Sequence, residues 1–364
     1  MNSIEAVSVS KVLDTNATDA AEVEIVTTNG YGRSCYPASA EAIRSAREQV
    51  SKLVGKEASQ QAEIDEVLQE LFSLPNLRMA FSVATARAAA ASIAMPLYRY
   101  LGGLFADAMP YPLLKIFDAG ADYFAIPQGA GSFASAIASL AAVYRELTNP
   151  NARARTTLSD VLKRLTQIAE NVSGKFGFQI KLGVDFKASD HAQSELRFAD
   201  DAAHTGGSRL QYLLDLAHEY DLYYIEDPFE KAEAEFQRQL VDELGAECLI
   251  ASKERTDPSN AIVHAQSSRD CSNTNFSLIA PTGTISSVFE TVLNERANGR
   301  SCALLTNNSA TCDASPSQLA VALSAPFVKL NIRGRESTAK INELIRIEQE
   351  LFDGLSYKMA KKPI

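Results

Sequence analysis

Two acidic residues stand where the chain leaves short apolar strands. Asp185 follows Ile180-Lys181-Leu182-Gly183-Val184, and Glu226 follows Tyr223-Tyr224-Ile225. Barrel enzymes carry their chemistry at the carboxyl ends of the strands. If these two strands lie side by side in a barrel, their carboxylates share one mouth. Such a pair suits a hard cation, because Mg²⁺ takes oxygen ligands. Acids after strands also cap helices, so the pair alone does not choose between a metal site and two caps. The other reactive residue types are less pointed. The five cysteines (Cys35, Cys248, Cys271, Cys302, Cys312) are odd in number, widely spaced and contain no C-x-x-C pair. That pattern argues against zinc and disulfide frameworks and for a reducing compartment. The four histidines (His191, His204, His218, His264) show no H-x-x-x-H spacing and read as surface or structural residues.

The elements that must position the acids follow from pattern and composition. At 364 residues, with 46% apolar and 22% charged residues, the chain is too large for one small module and too apolar for disorder. A formal charge of −10 argues against a nucleic-acid or acidic-membrane partner, since phosphate affinity needs a basic surface. No apolar run reaches the 18 to 20 residues of a membrane span. Met1 to Ser10 lacks the basic and apolar regions of a secretory leader, so a cytoplasmic location is expected. The first segment reads as β: alternation over Ala6–Val12, then a β-branched run over Ala21–Thr28, then the Asn29-Gly30 turn signal, whose residues accept positive φ. Helices are predicted over Ala40–Leu53, Gln60–Leu71 and the Ala-rich Arg78–Met95. From Tyr111 short apolar strands alternate with amphipathic helices over about 250 residues, which predicts a parallel α/β barrel rather than a sandwich.

At these residues the chain resembles a known family. IEDPF (Ile225–Phe229), with GVDFKASD (Gly183–Asp190) upstream, looks like enolase, the phosphopyruvate hydratase of glycolysis. LDTNATDAAEVEI (Leu13–Ile25), VATARAAAASIAMPLYRYLGG (Val83–Gly103) and ESTAKINELIRIEQEL (Glu336–Leu351) are similar to three more family stretches, in the family's order. The resemblance implies an α/β fold: an enolase-like N-terminal α+β capping domain over residues 1–108, then a TIM-type barrel over 109–364. It also implies Mg²⁺, a lysine base, a glutamate acid and a homodimer. Asp185 and Glu226 fall on two of the family's three metal carboxylates, and Lys329, in VKLN, falls on its substrate-binding lysine.

Other family positions are replaced. ASKERTDP puts Ala251 at the third metal carboxylate, with Lys253 and Glu254 close behind. NFSLIAPTGT (Asn275–Thr284) puts Leu278 at the base. LTNNSAT (Leu305–Thr311) puts Thr306, Asn307 and Asn308 where the family grips phosphate. The acid loop has no counterpart between Ile126 and Ile180, the histidine loop near Asp118 is missing, and Asp122 stands for a catalytic glutamate. Asn16 replaces an N-terminal arginine. Scaffold motifs are kept while chemistry motifs are lost. The expectation is a pseudoenzyme with weak or absent Mg²⁺ binding and a binding or structural role, as a homodimer or paired with a true enolase. The alternative is a divergent active enolase, or another Mg-assisted reaction on the same barrel. Lys253 either places its ammonium near Asp185 and Glu226 in place of the ion or points to solvent. A shift of one or two residues would let Glu254 supply the missing acid, and Lys181 or Lys253 is the candidate for a displaced base.

Overall fold

Alternating apolar and polar residues build the first sheet. Strands β1 (Ile4–Leu13), β2 (Asp19–Thr27) and β3 (Tyr31–Pro37) form an antiparallel meander in the order β1-β2-β3. Val9, Val23, Ile25 and Tyr36 are buried, while Ser8, Ser10 and Lys11 face solvent. The computed structural model describes residues 2–148, 157–188, 206–252, 274–306 and 311–352.

The turn at Asn29-Gly30 is present, with the Thr27 amide donating to the Gly30 carbonyl. Neither residue has the positive φ that the dipeptide predicts. Gly30 is required for a different reason: a Cβ there would lie 2.1 Å from the Ala88 carbonyl oxygen, so β3 rests directly on a helix backbone. Helices α1 (Ala40–Gln49), α2 (Gln61–Leu71), α3 (Pro75–Ser92) and α4 (Leu97–Gly102) follow. The supporting helix is α3. It begins three residues earlier than its alanines suggest, because Pro75 sits at the first helical position, where its fixed φ suits the helix.

The barrel strands are β4 (Tyr111–Ala119), β5 (Ala121–Gln128), β6 (Gln179–Asp185), β7 (Leu222–Glu226), β8 (Leu249–Ala251), β9 (Phe276–Ile279), β10 (Ser301–Leu305) and β11 (Phe327–Asn331). Their order is β8-β7-β6-β5-β4-β11-β10-β9. Helices α5 (Phe133–Leu147), α6 (Leu158–Phe176), α7 (Gly206–Tyr220), α8 (Ala234–Leu244), α9 (Ile285–Ala297), α10 (Ser315–Ala322) and α11 (Arg335–Phe352) lie between and after them. The fold is therefore the expected α/β arrangement, a small sheet with helices and then a nearly closed eight-stranded barrel.

One expectation is corrected. The barrel is not wholly parallel: β5 runs antiparallel to both β4 and β6. Gly120, at φ +77, turns the chain directly from Ala119 to its register partner Ala121. A connection that short cannot cross over, and parallel pairing needs a crossover of a dozen or more residues.

The barrel interior is filled. Phe124, Tyr224, Phe276 and Phe327 meet edge to face in sequence, with ring centroids 5.4, 5.9 and 5.4 Å apart, beside the small residues Ala251 and Ala303. Strands β8 and β9 end the order, and the Asn275 side chain spans the gap between them. Its amide nitrogen donates to the carbonyls of Gly245 and Cys248 at 2.9 and 2.8 Å, and its oxygen accepts from the Ile250 amide at 2.7 Å. Replacing it by alanine orphans three backbone groups at once. Asn275→Ala is expected to lower stability by about 2–3 kcal/mol, read by urea unfolding; a loss under about 0.5 kcal/mol would show that the gap is held by other contacts.

The N-terminal helices grip the barrel through polar contacts. The Ser286 amide at the start of α9 donates to Asp65 at 2.9 Å, and the Ile285 amide to the Ser82 hydroxyl at 3.0 Å. Arg87 on α3 pairs with Asp313 just before α10. Among the described residues no single helix is long and apolar enough to cross a membrane.

Candidate functional site

Register places the acids. Asp185 ends β6 and pairs with Glu226, which ends β7 and pairs in turn with Ala251 at the end of β8. The two carboxylates expected to share a mouth do share it, and both are buried, at 2% and 1% exposure. Asp122 joins them by a route that strand-end logic misses. It lies near the start of β5, but β5 is antiparallel, so its amino end opens at the same mouth and Asp122 is the register partner of Asp185. The chain is kinked just past both strand ends. Lys187 and Asp227 have φ near +54 and +50, a region costly for residues with a Cβ and one that clusters at functional sites.

The charges at this mouth are paired with one another. Lys115 and Lys187 place their ammonium nitrogens 2.8 and 2.6 Å from Asp122, and Lys115 is also 3.1 Å from Asp118. Burial works against the Lys115 charge, but its bonds to Asp122 and Asp118 outweigh that and raise its pKa. Glu226 receives two donors on one oxygen, Oε2: the Lys329 ammonium and the Tyr224 hydroxyl. Lys329 also lies 4.8 Å above the Phe124 ring centroid. Burial, and after it the Glu226 charge, push the Tyr224 phenol well above its ordinary value, so it remains a donor. Asp185 accepts from the Lys187 amide at 2.9 Å.

The residues expected to stand at replaced family positions have the following surroundings. Ala251 presents a methyl to the interior cluster beside Glu226. Leu278, opposite Ala303 on β10, packs against that cluster from β9. The Thr306 hydroxyl donates to the Lys329 carbonyl at 2.8 Å and is fully buried. Asn16 is exposed, its amide nitrogen bound to Asp14 in a tight turn. Lys181 is removed as a displaced base, because it pairs with Asp221, which precedes β7 and so lies at the opposite end of the barrel. Lys253, Glu254, Asn307 and Asn308 lie outside the described residues.

Sequence reasoning missed Lys115, Lys187 and Tyr224. Spacing held a signal for each. Tyr224 is two residues before Glu226 on one strand, hence on the same face. Lys187 is two after Asp185, and Lys115 lies on β4 three before Asp118, across the hairpin from Asp122.

Among the described residues the donor set does not fit a Mg²⁺ ion of the enolase kind. That ion wants near-octahedral oxygen ligands. The third position is a methyl group, and Glu226 already accepts from an ammonium and a hydroxyl. Among the described residues no three acidic, cysteine or histidine side chains are grouped to hold a metal.

Comparisons with known proteins agree with the fold and its order. The family profile "Enolase, C-terminal TIM barrel domain" matches residues 118–363. The chain is 30% identical to a protein named enolase from Halobacterium salinarum over 403 aligned residues, covering 96% of this chain and 100% of that one. It is 28% identical to one from Archaeoglobus fulgidus, covering 96% and 98%. It is 27% identical to one from Methanothermobacter thermautotrophicus, covering 96% and 97%. With a profile match over residues 118–363 and relatives aligned over almost the whole chain, the chain belongs to the enolase family.

Proposed function

We propose that this protein has lost 2-phosphoglycerate dehydration and serves as an enolase-fold binding or structural protein. The observation that carries the reading is Leu278, a half-buried hydrocarbon side chain packed against the barrel-interior cluster where the family aligns its lysine base. Removing a proton α to a carboxylate needs a positioned base, and leucine has none. Two further features support it. Ala251 stands beside Glu226 where a third carboxylate would complete the metal site. Among the described residues Lys115 and Lys187 pair with Asp122, and Lys329 pairs with Glu226. In this reading Mg²⁺ binding is weak or absent. The partner is a second copy of the chain or a true enolase, met in the cytoplasm.

The second reading is a divergent, Mg-dependent enolase, or another Mg-assisted reaction on this barrel. Asp185, Glu226 and Lys329 do gather at one mouth, and the relatives are named enolase. The discriminating test is dehydration of 2-phosphoglycerate by purified protein with Mg²⁺. No phosphoenolpyruvate is expected; its formation, abolished by Glu226→Gln, would overturn the first reading and establish the second.

A further inference from the structure

We infer that Asp65 takes up a proton as the N-terminal helices dock on the barrel and shares it with Gln61, so that this seam is a latch that tightens as the pH falls. The inference goes beyond the function proposed above and does not rest on it. Asp65 lies on α2 at 1% exposure, where α2 and α3 meet the start of α9. Its Oδ1 accepts from the Ser82 hydroxyl at 2.7 Å and the Gln61 side-chain nitrogen at 2.9 Å, and its Oδ2 from the Ser286 amide at 2.9 Å. The Ser82 hydroxyl also accepts from the Ile285 amide, and the Gly283 amide donates to the Pro75 carbonyl. A single carboxyl group thus stands at the centre of the contact.

Among the described residues no cation bonds to it. A buried carboxylate is ordinarily held by a counter-charge, as Asp313 is held by Arg87. The charged residues of the three helices that meet at Asp65 are engaged elsewhere or exposed. On α2, Glu63, Glu66 and Glu70 are exposed. On α3, Arg78 bonds the carbonyls of Phe72 and Ser73, and Arg87 pairs with Asp313. On α9, Glu290 is exposed, Glu295 pairs with Arg300, and Arg296 bonds the carbonyls of Leu323 and Ser324. Every donor at Asp65 is therefore neutral. Burial is the largest influence on the carboxyl and raises its pKa; the bonds from Ser82, Ser286 and Gln61 pull the other way and do not cancel it. The Ser286 amide, through which the positive end of α9 acts, is one of those weaker influences.

Gln61 supplies the second observation. Its nitrogen serves Asp65 Oδ1, the Ser82 hydroxyl and the Ser82 carbonyl, whereas its Oε1 is buried and accepts from no described residue. A side-chain amide carries a donor end and an acceptor end of nearly the same shape, and the network decides which faces a neighbour. A half-turn of the Gln61 amide brings Oε1 to the place of the nitrogen, 2.9 Å from Asp65 Oδ1 and 3.0 Å from the Ser82 hydroxyl. A protonated Asp65 then donates its O–H to that oxygen, and Ser82 donates to it as well. Oδ2 stays in place to accept from Ser286. What is given up is the bond to the Ser82 carbonyl, the longest of the three at 3.2 Å. The ionised and protonated carboxyl thus have separate hydrogen-bond arrangements on one set of atoms, and only the protonated one places no uncompensated charge in the seam.

The test titrates the full chain by NMR with ¹³C-labelled aspartate. The Asp65 carboxyl carbon is expected to titrate above the ordinary 3.8, and the Asp313 carbon below it. A carboxyl whose pKa folding raises lends stability that is fully present below its unfolded pKa and lost as pH rises through the folded value. Asp65→Asn keeps the shape and offers Gln61 an N–H in place of the O–H, so it stands for the protonated form at every pH. Its urea midpoint should therefore rise relative to wild type between about pH 4 and pH 7. The Ser286 amide reads the latch itself. Its protection from hydrogen exchange, corrected for the intrinsic rate, should fall over the same range in wild type and hold steady in Asp65→Asn. An Asp65 carbon that titrates at or below 3.8 would overturn the inference. So would an Asp65→Asn midpoint that falls relative to wild type as the pH rises, the course expected of a carboxylate held by its charge. If the variant does not fold, the wild-type titration still decides.

Discussion

Incubated with 2-phosphoglycerate and Mg²⁺, the purified protein should release no measurable phosphoenolpyruvate. The size of the expected effect follows from what is missing. A positioned general base contributes typically about 10²–10⁴-fold, and Leu278 supplies none. Electrostatic stabilisation of the developing charge is usually the largest single contribution to an enzyme's rate. In the proposed reading Ala251 stands where a third carboxylate would be, and Glu226 is engaged with Lys329 and Tyr224. The losses bear on one transition state and need not multiply, since residues acting as a unit are strongly non-additive. The same non-additivity makes a second expectation. Leu278→Lys alone should not restore turnover, because the new amine would enter an apolar cluster with no metal ligand completed beside it. Turnover appearing in Leu278→Lys would mean that the rest of the machinery is intact, and the reading of Ala251 and Lys329 would then be wrong.

Legibility in the sequence tracked the range of the interactions. Strand-end acids and their shared mouth were readable, because Asp185 and Glu226 carry both local pattern and family motif, and parallel register then brings them together. The antiparallel β5 was not, because alternation of strands and helices says nothing about the direction of one hairpin. Gly120 was the available signal, a lone glycine between two β-rich runs. The closeness of β3 to α3 was equally hidden. Asn29-Gly30 announces a turn, but the need for glycine comes from a helix more than fifty residues away. The Lys329–Glu226 pair joins residues 103 apart in the chain, and only closure of the barrel makes them neighbours.

The same long-range logic predicts the largest effect on stability, at the contact between α3 and the barrel. Asp313→Ala should destabilise the protein by about 3 kcal/mol, toward the lower end of the 3–5 kcal/mol for breaking a buried ion pair. The Asp313 carboxylate is 4% exposed and accepts from four N–H groups. Two come from Arg87, at 2.9 Å each, one from the Cys35 amide at 2.9 Å and one from the Ser315 amide at 2.8 Å. Removing it leaves two backbone amides without their acceptor and the guanidinium with the Arg33 carbonyl but no counter-charge. The Arg87 side chain keeps 22% exposure, and that access to water sets the cost low in the range. Burial alone would raise the Asp313 pKa, but the Arg87 charge and the bonds from Arg87 and Ser315 outweigh it and hold the carboxyl below its ordinary 3.8. A carboxyl depressed by folding lends stability that is fully present above its unfolded pKa and lost as pH falls through the folded value. Asp313→Asn, which keeps the shape without the charge, should therefore be less stable than wild type at pH 7, and the gap should narrow below about pH 4. Urea unfolding of the two proteins at pH 7 and at pH 3 measures it. A gap that stays the same at both pH values would mean that the Asp313 charge does not hold α3 to the barrel.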